Sequence, residues 1–208
     1  MVGKALTIID SEGVDALSIR RLAAEFNVAP NSIYSYVASK NDLLRGVFGL
    51  VIGKLDPPVL SGNHWTERAR RACGWCRQRL LEHPNVVAAS GFREVFPTIS
   101  VPLIYSLGAL LRDAEYEERE LVDTMYVLLY HTIGFVALEV ARETYGLPTQ
   151  DMDEVLQQTL MDVGDEYADE SPRLIRYAVD LDLNAVFDQS LDALLTGLEA
   201  VRTESLKS

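Results

Sequence analysis

Between Ser18 and Leu44 the chain concentrates hydrogen-bonding side chains at a spacing that would line one side of a short helix. They are Asn31, Ser32, Tyr34, Ser35, Tyr36 and Lys40, with Arg20 and Arg21 just upstream. Short polar residues let a helix approach base edges, while Ser, Tyr and Lys suit phosphate oxygens. This residue set reads as a DNA-contacting surface; a solvated helix face would carry the same types. Other constellations carry less. Cys73 and Cys76 have the spacing of a redox pair but fall mid-helix, without the helix N-terminus that lowers a thiol pKa. They read as core or cavity lining. A zinc site would need His83 as a third ligand, at a spacing outside the common patterns. His131 reads either as a hydrogen-bonded core or interface residue, or as the polar anchor of an apolar cavity. Trp75, Cys76, Phe92, Phe96, Tyr105, Arg112, Tyr126 and Tyr130 are candidates to line that cavity. No nucleophile–base–acid set and no Gly-rich phosphate loop is present, so an enzyme is not expected, nor a metal or cofactor.

The elements that must position the polar set can be read locally. Ser18 is placed to cap a helix whose apolar face is Ile19, Leu22, Ala23 and Phe26. Asn27 tolerates the left-handed backbone of a tight turn. Pro30 suits the first position of a second helix, where its missing N–H costs nothing. Ile33 and Val37 would face inward. Ser39 with Asp42 has capping-box spacing for a further helix, running from about Asn41 past Ile52. Two helices around so short a turn make a helix-turn-helix, whose second helix can enter a major groove.

The run Gly13, Leu17-Ser18-Ile19-Arg20, Leu22-Ala23, Val28, Ile33-Tyr34, Tyr36-Val37, Lys40 and Leu43-Leu44 resembles the N-terminal domain of TetR-family transcriptional regulators. It covers about the first fifty residues without a gap. Tyr36 stands where the family usually has His, Asn27 where it has the Gly of the turn, and Ala29 where it has a Ser or Thr cap. The resemblance implies base contacts from Arg20 and Asn31, Pro30 against an apolar base feature, and phosphate contacts from Ser18, Ser32, Tyr34, Tyr36 and Lys40. His83-Pro84, Gly134 with Glu139, and the closing Leu191 to Glu199 segment resemble the branch nearest the tetracycline repressor. That likeness implies a small-molecule effector bound by the second domain, and no His stands near Ser90 for a tetracycline–metal complex.

The 208 residues are 48% hydrophobic and carry a net charge of −12, enough to bury a core without disulfides. Residues 1–50 hold five basic and five acidic groups, so the acidity lies beyond them. Pro57 and Pro58 mark a boundary, giving a DNA-binding domain over 1–53 and a ligand-binding and dimerisation domain over 59–208. The spacing predicts helices over Val2–Glu12, Trp65–Leu81, Val101–Asp113, Glu118–Glu143 and Asp182–Thr203, with short pieces over Asn85–Thr98. The expectation is an all-α chain: an N-terminal three-helix helix-turn-helix domain and a helical second domain. The surplus apolar surface of the two long helices, with the family likeness, implies a homodimer through 118–143 and 182–203. Glu143 to Glu170 holds nine acids and no Lys or Arg, a solvated segment or a lid favouring cationic ligands. The uncharged stretch Thr124–Leu138 is too short to span a bilayer, so a soluble cytoplasmic protein is expected. These readings converge on a repressor released from a palindromic double-stranded operator by a small molecule. Its alternatives are a small all-α enzyme, or a regulator that binds a protein partner.

Overall fold

The computed structural model describes residues 1–53, 62–88, 101–145 and 181–205. Among these, all regular structure is helical: α1 Val2–Glu12, α2 Ile19–Glu25, α3 Pro30–Tyr34, α4 Lys40–Ile52, α5 Trp65–Leu81, α6 Pro84–Val87, α7 Val101–Asp113, α8 Glu118–Tyr145 and α9 Leu183–Ser205. A 3-10 turn, Val14–Ala16, links α1 to α2. The ends follow their local chemistry. Gly13 stops α1 at φ 84°, where a side chain would be strained. Ser18 Oγ accepts from the Arg21 amide, and Ser39 Oγ from the Asp42 amide at 3.1 Å. The Asp42 carboxylate in turn accepts from the Ala38 amide rather than that of Ser39, so the box is one residue wider than usual. That bond, then the Arg45 guanidinium, holds the Asp42 carboxyl below its ordinary value. Asn27 makes the turn in the left-handed region, φ 52°. The cavity-candidate residues Phe92 and Phe96, most of the Asn85–Thr98 pieces, and the acidic stretch beyond Glu143 lie outside the described residues.

A continuous core runs through both parts of the chain. Ala5, Ile8 and Ile9 of α1, Leu22 and Ala23 of α2 and Ile33 of α3 are buried with Leu43, Leu44, Val47, Phe48, Val51 and Ile52 of α4. The same cluster continues into α5, α7, α8 and α9 through Trp65, Ala69, Leu107, Leu128 and Phe187. α1 and α4 cross closely at Gly46, where a Cβ would meet Val2 Cγ2 at 3.0 Å. Phe26, expected inside, is instead exposed: α2 ends at Glu25, and Phe26 begins the turn away from the core.

Two polar clasps join elements distant in sequence. His83 Nδ1 lies 3.0 Å from the Asp10 carboxylate, and Asn85 Nδ2 donates to the Ile9 and Asp10 carbonyls at 3.1 and 3.0 Å. Asn85 thereby satisfies the Asp10 carbonyl near the end of α1 and adds a second donor to the Ile9 carbonyl, which already accepts from the Gly13 amide. His83 is thus engaged with Asp10, and no metal-ligating cluster of three His, Cys, Asp or Glu occurs among the described residues. The second clasp is deeper. Arg77 donates to Glu139 from Nε at 2.9 Å and Nη2 at 2.6 Å, and to Asn184 Oδ1 at 2.9 Å. Its guanidinium stands over Phe187 and Phe135, 4.9 and 5.7 Å from their centroids. This fixes α5, α8 and α9 to one another at a bidentate, largely desolvated pair.

The stretch Glu118–Thr144 of α8 is long and apolar enough to cross a membrane by length and composition. Its apolar residues Leu121, Met125, Leu128, Leu129, Ile133, Val136 and Val140 are buried within the protein. Removing one member of the Arg77–Glu139 pair strands a charge away from water. Arg77→Met is therefore expected to cost about 3–5 kcal/mol of stability in urea unfolding. Arg77→Met with Glu139→Leu should recover most of that loss.

Candidate nucleic-acid interface

α3 is five residues long, and of these only Ile33 is buried. Ile33 anchors the helix in the core that Leu17 and Leu22 also fill, and the rest of α3 stands outward. Pro30, Asn31, Ser32 and Tyr34, with Ser35 and Tyr36 just beyond, are all exposed, Tyr34 at 55% and Tyr36 at 77%. Two exposed tyrosines on one helical segment are costly to leave in water and useful against a sugar–phosphate edge. The turn is held by the Asn27 and Val28 amides donating to Ala24 and Ala23 carbonyls at 3.1 Å each. Ala29 caps α3 with no side-chain bond, as its departure from the usual Ser or Thr requires. Ser18 and Arg20 are exposed at the start of α2, so all eight DNA-contact candidates belong to one contiguous segment.

The basic residues of this head differ sharply in their surroundings. Lys4 pairs with Glu25 at 3.0 Å, and Arg21 pairs with Glu25 and, at 2.9 Å, with Glu12. The Lys4 ammonium first, then the Arg21 guanidinium, holds the Glu25 carboxyl below its ordinary value. The Arg21 guanidinium is raised, chiefly by Glu25. Arg45 pairs with Asp42 at 2.9 Å. Lys40, half-buried, donates from Nζ to the Val14 carbonyl at 3.0 Å. Arg20 makes no ion pair among the described residues.

The cavity candidates do not converge. A narrow pocket, with room for about one water molecule, lies between α5, α7 and α8. It is lined by Ala72, Cys73, Cys76, Leu107, Leu128, Leu129 and Thr132. Of the proposed ligand residues that are among those described, only Cys76 lines it. Tyr105, Arg112, Tyr126 and Tyr130 are exposed, Trp75 is half-buried outside the lining, and His131 turns to α9. The His131 ring stacks on Phe187 at 5.6 Å, and its Nε2 sits 3.4 Å from Ser190 Oγ; burial lowers its pKa. One residue along α8 rotates about 100°, so Thr132 faces the pocket instead and donates to the Leu128 carbonyl at 2.8 Å. Which neighbour each face of α8 meets is set by packing between helices, which sequence alone does not supply. Burial raises the Cys73 thiol to about 11 and the Cys76 thiol still further. Both thiols are therefore neutral and unreactive while the fold persists. A thiol-exchange reagent at pH 8 is expected to modify neither in native protein and both in urea.

A helix-turn-helix whose second helix exposes every polar side chain, set on an all-helical body, defines a DNA-reading regulator architecture. Residues 3–47 match the family model described as bacterial regulatory proteins, tetR family. An HTH-type transcriptional regulator of Saccharopolyspora erythraea is 27% identical over 139 residues, which is 67% of this chain and 59% of that protein's length. A possible TetR family transcriptional regulator from Streptomyces coelicolor A3(2) superposes with a TM-score of 0.74 at 25% identity, over 96% of this chain and 97% of that one. ActR of S. coelicolor, solved in complex with actinorhodin, shares the fold, with a TM-score of 0.67 at 24% identity over 96% and 93% of the two chains. Residues 3–47 thus carry a DNA-binding domain of the tetR type, and the chain as a whole is similar to TetR-family transcriptional regulators.

Proposed function

We propose that this chain is a ligand-responsive repressor that binds a palindromic double-stranded operator as a homodimer in the cytoplasm. The observation that carries the reading is the exposure of the whole polar face of α3 around its single buried residue, Ile33. Arg20 and Asn31 read base edges, Pro30 meets an apolar base feature, and Ser18, Ser32, Tyr34 and Tyr36 hold phosphates. Lys40 completes the phosphate set, its half-buried ammonium also donating to the Val14 carbonyl.

The homodimer is supported by apolar surface on the two long helices. Val122, Tyr126, Val127, Tyr130 and Leu138 of α8 stay exposed, Leu138 at 75%, with Val201 of α9 at 62%. Val122, Tyr126, Tyr130 and Leu138 are spaced at multiples of four along α8, one stripe that a second copy would cover. This moves Tyr126 and Tyr130, 5.5 Å apart ring to ring, from the cavity to the seam between subunits. Two reading heads are also what paired half-sites, about 34–36 Å apart, require.

For the effector, the second body is read as in the tetracycline-repressor branch, and ActR with actinorhodin is an example of the same fold holding a small molecule. Among the described residues the narrow pocket between α5, α7 and α8 is where an effector would enter, and these helices must part to admit anything larger than a water molecule. The ligand must bind the released state more tightly than the operator-bound state, or no equilibrium shifts.

Selection of bound fragments from genomic DNA tests the reading. An inverted repeat bound by two protomers is expected, and Arg20→Ala should weaken it by about 1–3 kcal/mol with relaxed sequence preference. No enriched fragment, or binding by a single protomer, would contradict it.

A further inference from the structure

The reading helix is fixed at one end by the turn at Asn27 and along its length by Ile33. Its other end runs into residues 35–39, which carry Tyr36 and lead to Lys40, two of the phosphate candidates. The amides of Tyr36 and Val37 both return to the Ile33 carbonyl, at 2.9 and 3.2 Å. Beyond them the Ala38 amide donates to Asp42 Oδ2 at 3.0 Å, and the Asp42 amide donates back to Ser39 Oγ at 3.1 Å. The other carboxylate oxygen, Asp42 Oδ1, accepts from Arg45 Nη2 at 2.9 Å. An ordinary capping box returns to the amide of the cap residue itself. Reaching one residue further back, Asp42 gathers in the linker between α3 and α4 instead. An acid in the first turn of α4 suits the helix dipole, and Arg45 balances its charge within the head.

We propose that Asp42 is a positioning residue for operator binding: through the Ala38 amide it holds the linker, and with it Tyr36 and Lys40, in the arrangement that meets the phosphates. The inference rests on the operator reading above and deepens it. Asp42 acts through its neighbours and does not touch DNA, because a carboxylate faces phosphate only against repulsion. A linker freed at Ala38 samples further backbone arrangements. A surface competent in only part of its population binds more weakly by that fraction. Operator binding feels this loss, because phosphate contacts set the register of α3 against the base edges. Binding to arbitrary DNA is carried by charge and tolerates displacement, so it feels the loss less.

The test compares two variants of equal charge in the whole chain. Asp42→Asn keeps an oxygen for the Ala38 amide, and Asp42→Ala removes it. Dissociation constants are measured for an operator fragment recovered by selection and for a random-sequence duplex of the same length, at one salt concentration. Both variants shed the same negative charge, so any general gain in attraction to DNA is common to the two. Asp42→Ala is expected to bind the operator about five- to tenfold more weakly than Asp42→Asn, the worth of about one hydrogen bond. Their affinities for the random duplex should agree within about twofold. Amide exchange over residues 35–39 should be faster in Asp42→Ala alone. Equal operator affinities would overturn the proposal; with faster exchange in Asp42→Ala, the bond would be structural only. An equal loss on operator and random duplex would also overturn it, because a positioning role acts on the specific complex. If selection recovers no bound fragment, the operator reading fails and this inference with it. A recovered operator that the two variants bind equally overturns only this inference.

Discussion

The burial of Ile33 is the contact on which the reading surface depends. α3 is too short to be stable as an isolated helix, because nucleation costs more than so few backbone bonds return. It exists because Ile33 is held in the core of α1, α2 and α4, because Pro30 presets its first dihedral, and because Asn27 turns the chain sharply enough to bring it there. One apolar anchor leaves the other faces free. A second would have rotated polar residues out of reach of a groove. The short helix, the exposed tyrosines and the left-handed Asn are consequences of the same requirement.

The head is not an independent bead on the second body. The core is continuous from Ala5 to Leu195, and the α6 residue Asn85, with His83 just before it, grips the end of α1. A rearrangement around the pocket between α5, α7 and α8 therefore has two routes to the reading helix. One is the packing of α4 against α5; the other is the hydrogen-bonded end of α1. The Arg77–Glu139–Asn184 clasp, by contrast, fixes the α5–α8–α9 frame. A frame held in this way and joined to the head at two places is what the proposed ligand response would need.

Much of this was legible in the sequence, because capping and turn chemistry is local. Ser18, Asn27, Pro30, Ser39 and Gly13 mark their boundaries by what each does to its own backbone, and the structure places the helix ends there. The cavity was not legible, and for a physical reason. Whether a helical residue lines a pocket depends on which of three neighbouring helices its face meets, and long-range packing sets that. His131 and Thr132 are adjacent, yet one faces α9 and the other the cavity. The aromatic residues Tyr105, Tyr126 and Tyr130 read as pocket material by type but stand exposed. Charge pairing was equally hidden. Composition counts five cations in the head, and only coordinates show that four are engaged within the protein.

The outward face around Ile33 is the proposed seat of DNA. Amide hydrogen exchange of the protein with and without a selected duplex measures this residue by residue. Slowed exchange concentrated over residues 18–21 and 29–36, at a stoichiometry of two protomers per duplex, is the expected result. Unchanged exchange there, with protection appearing on another surface, would contradict it.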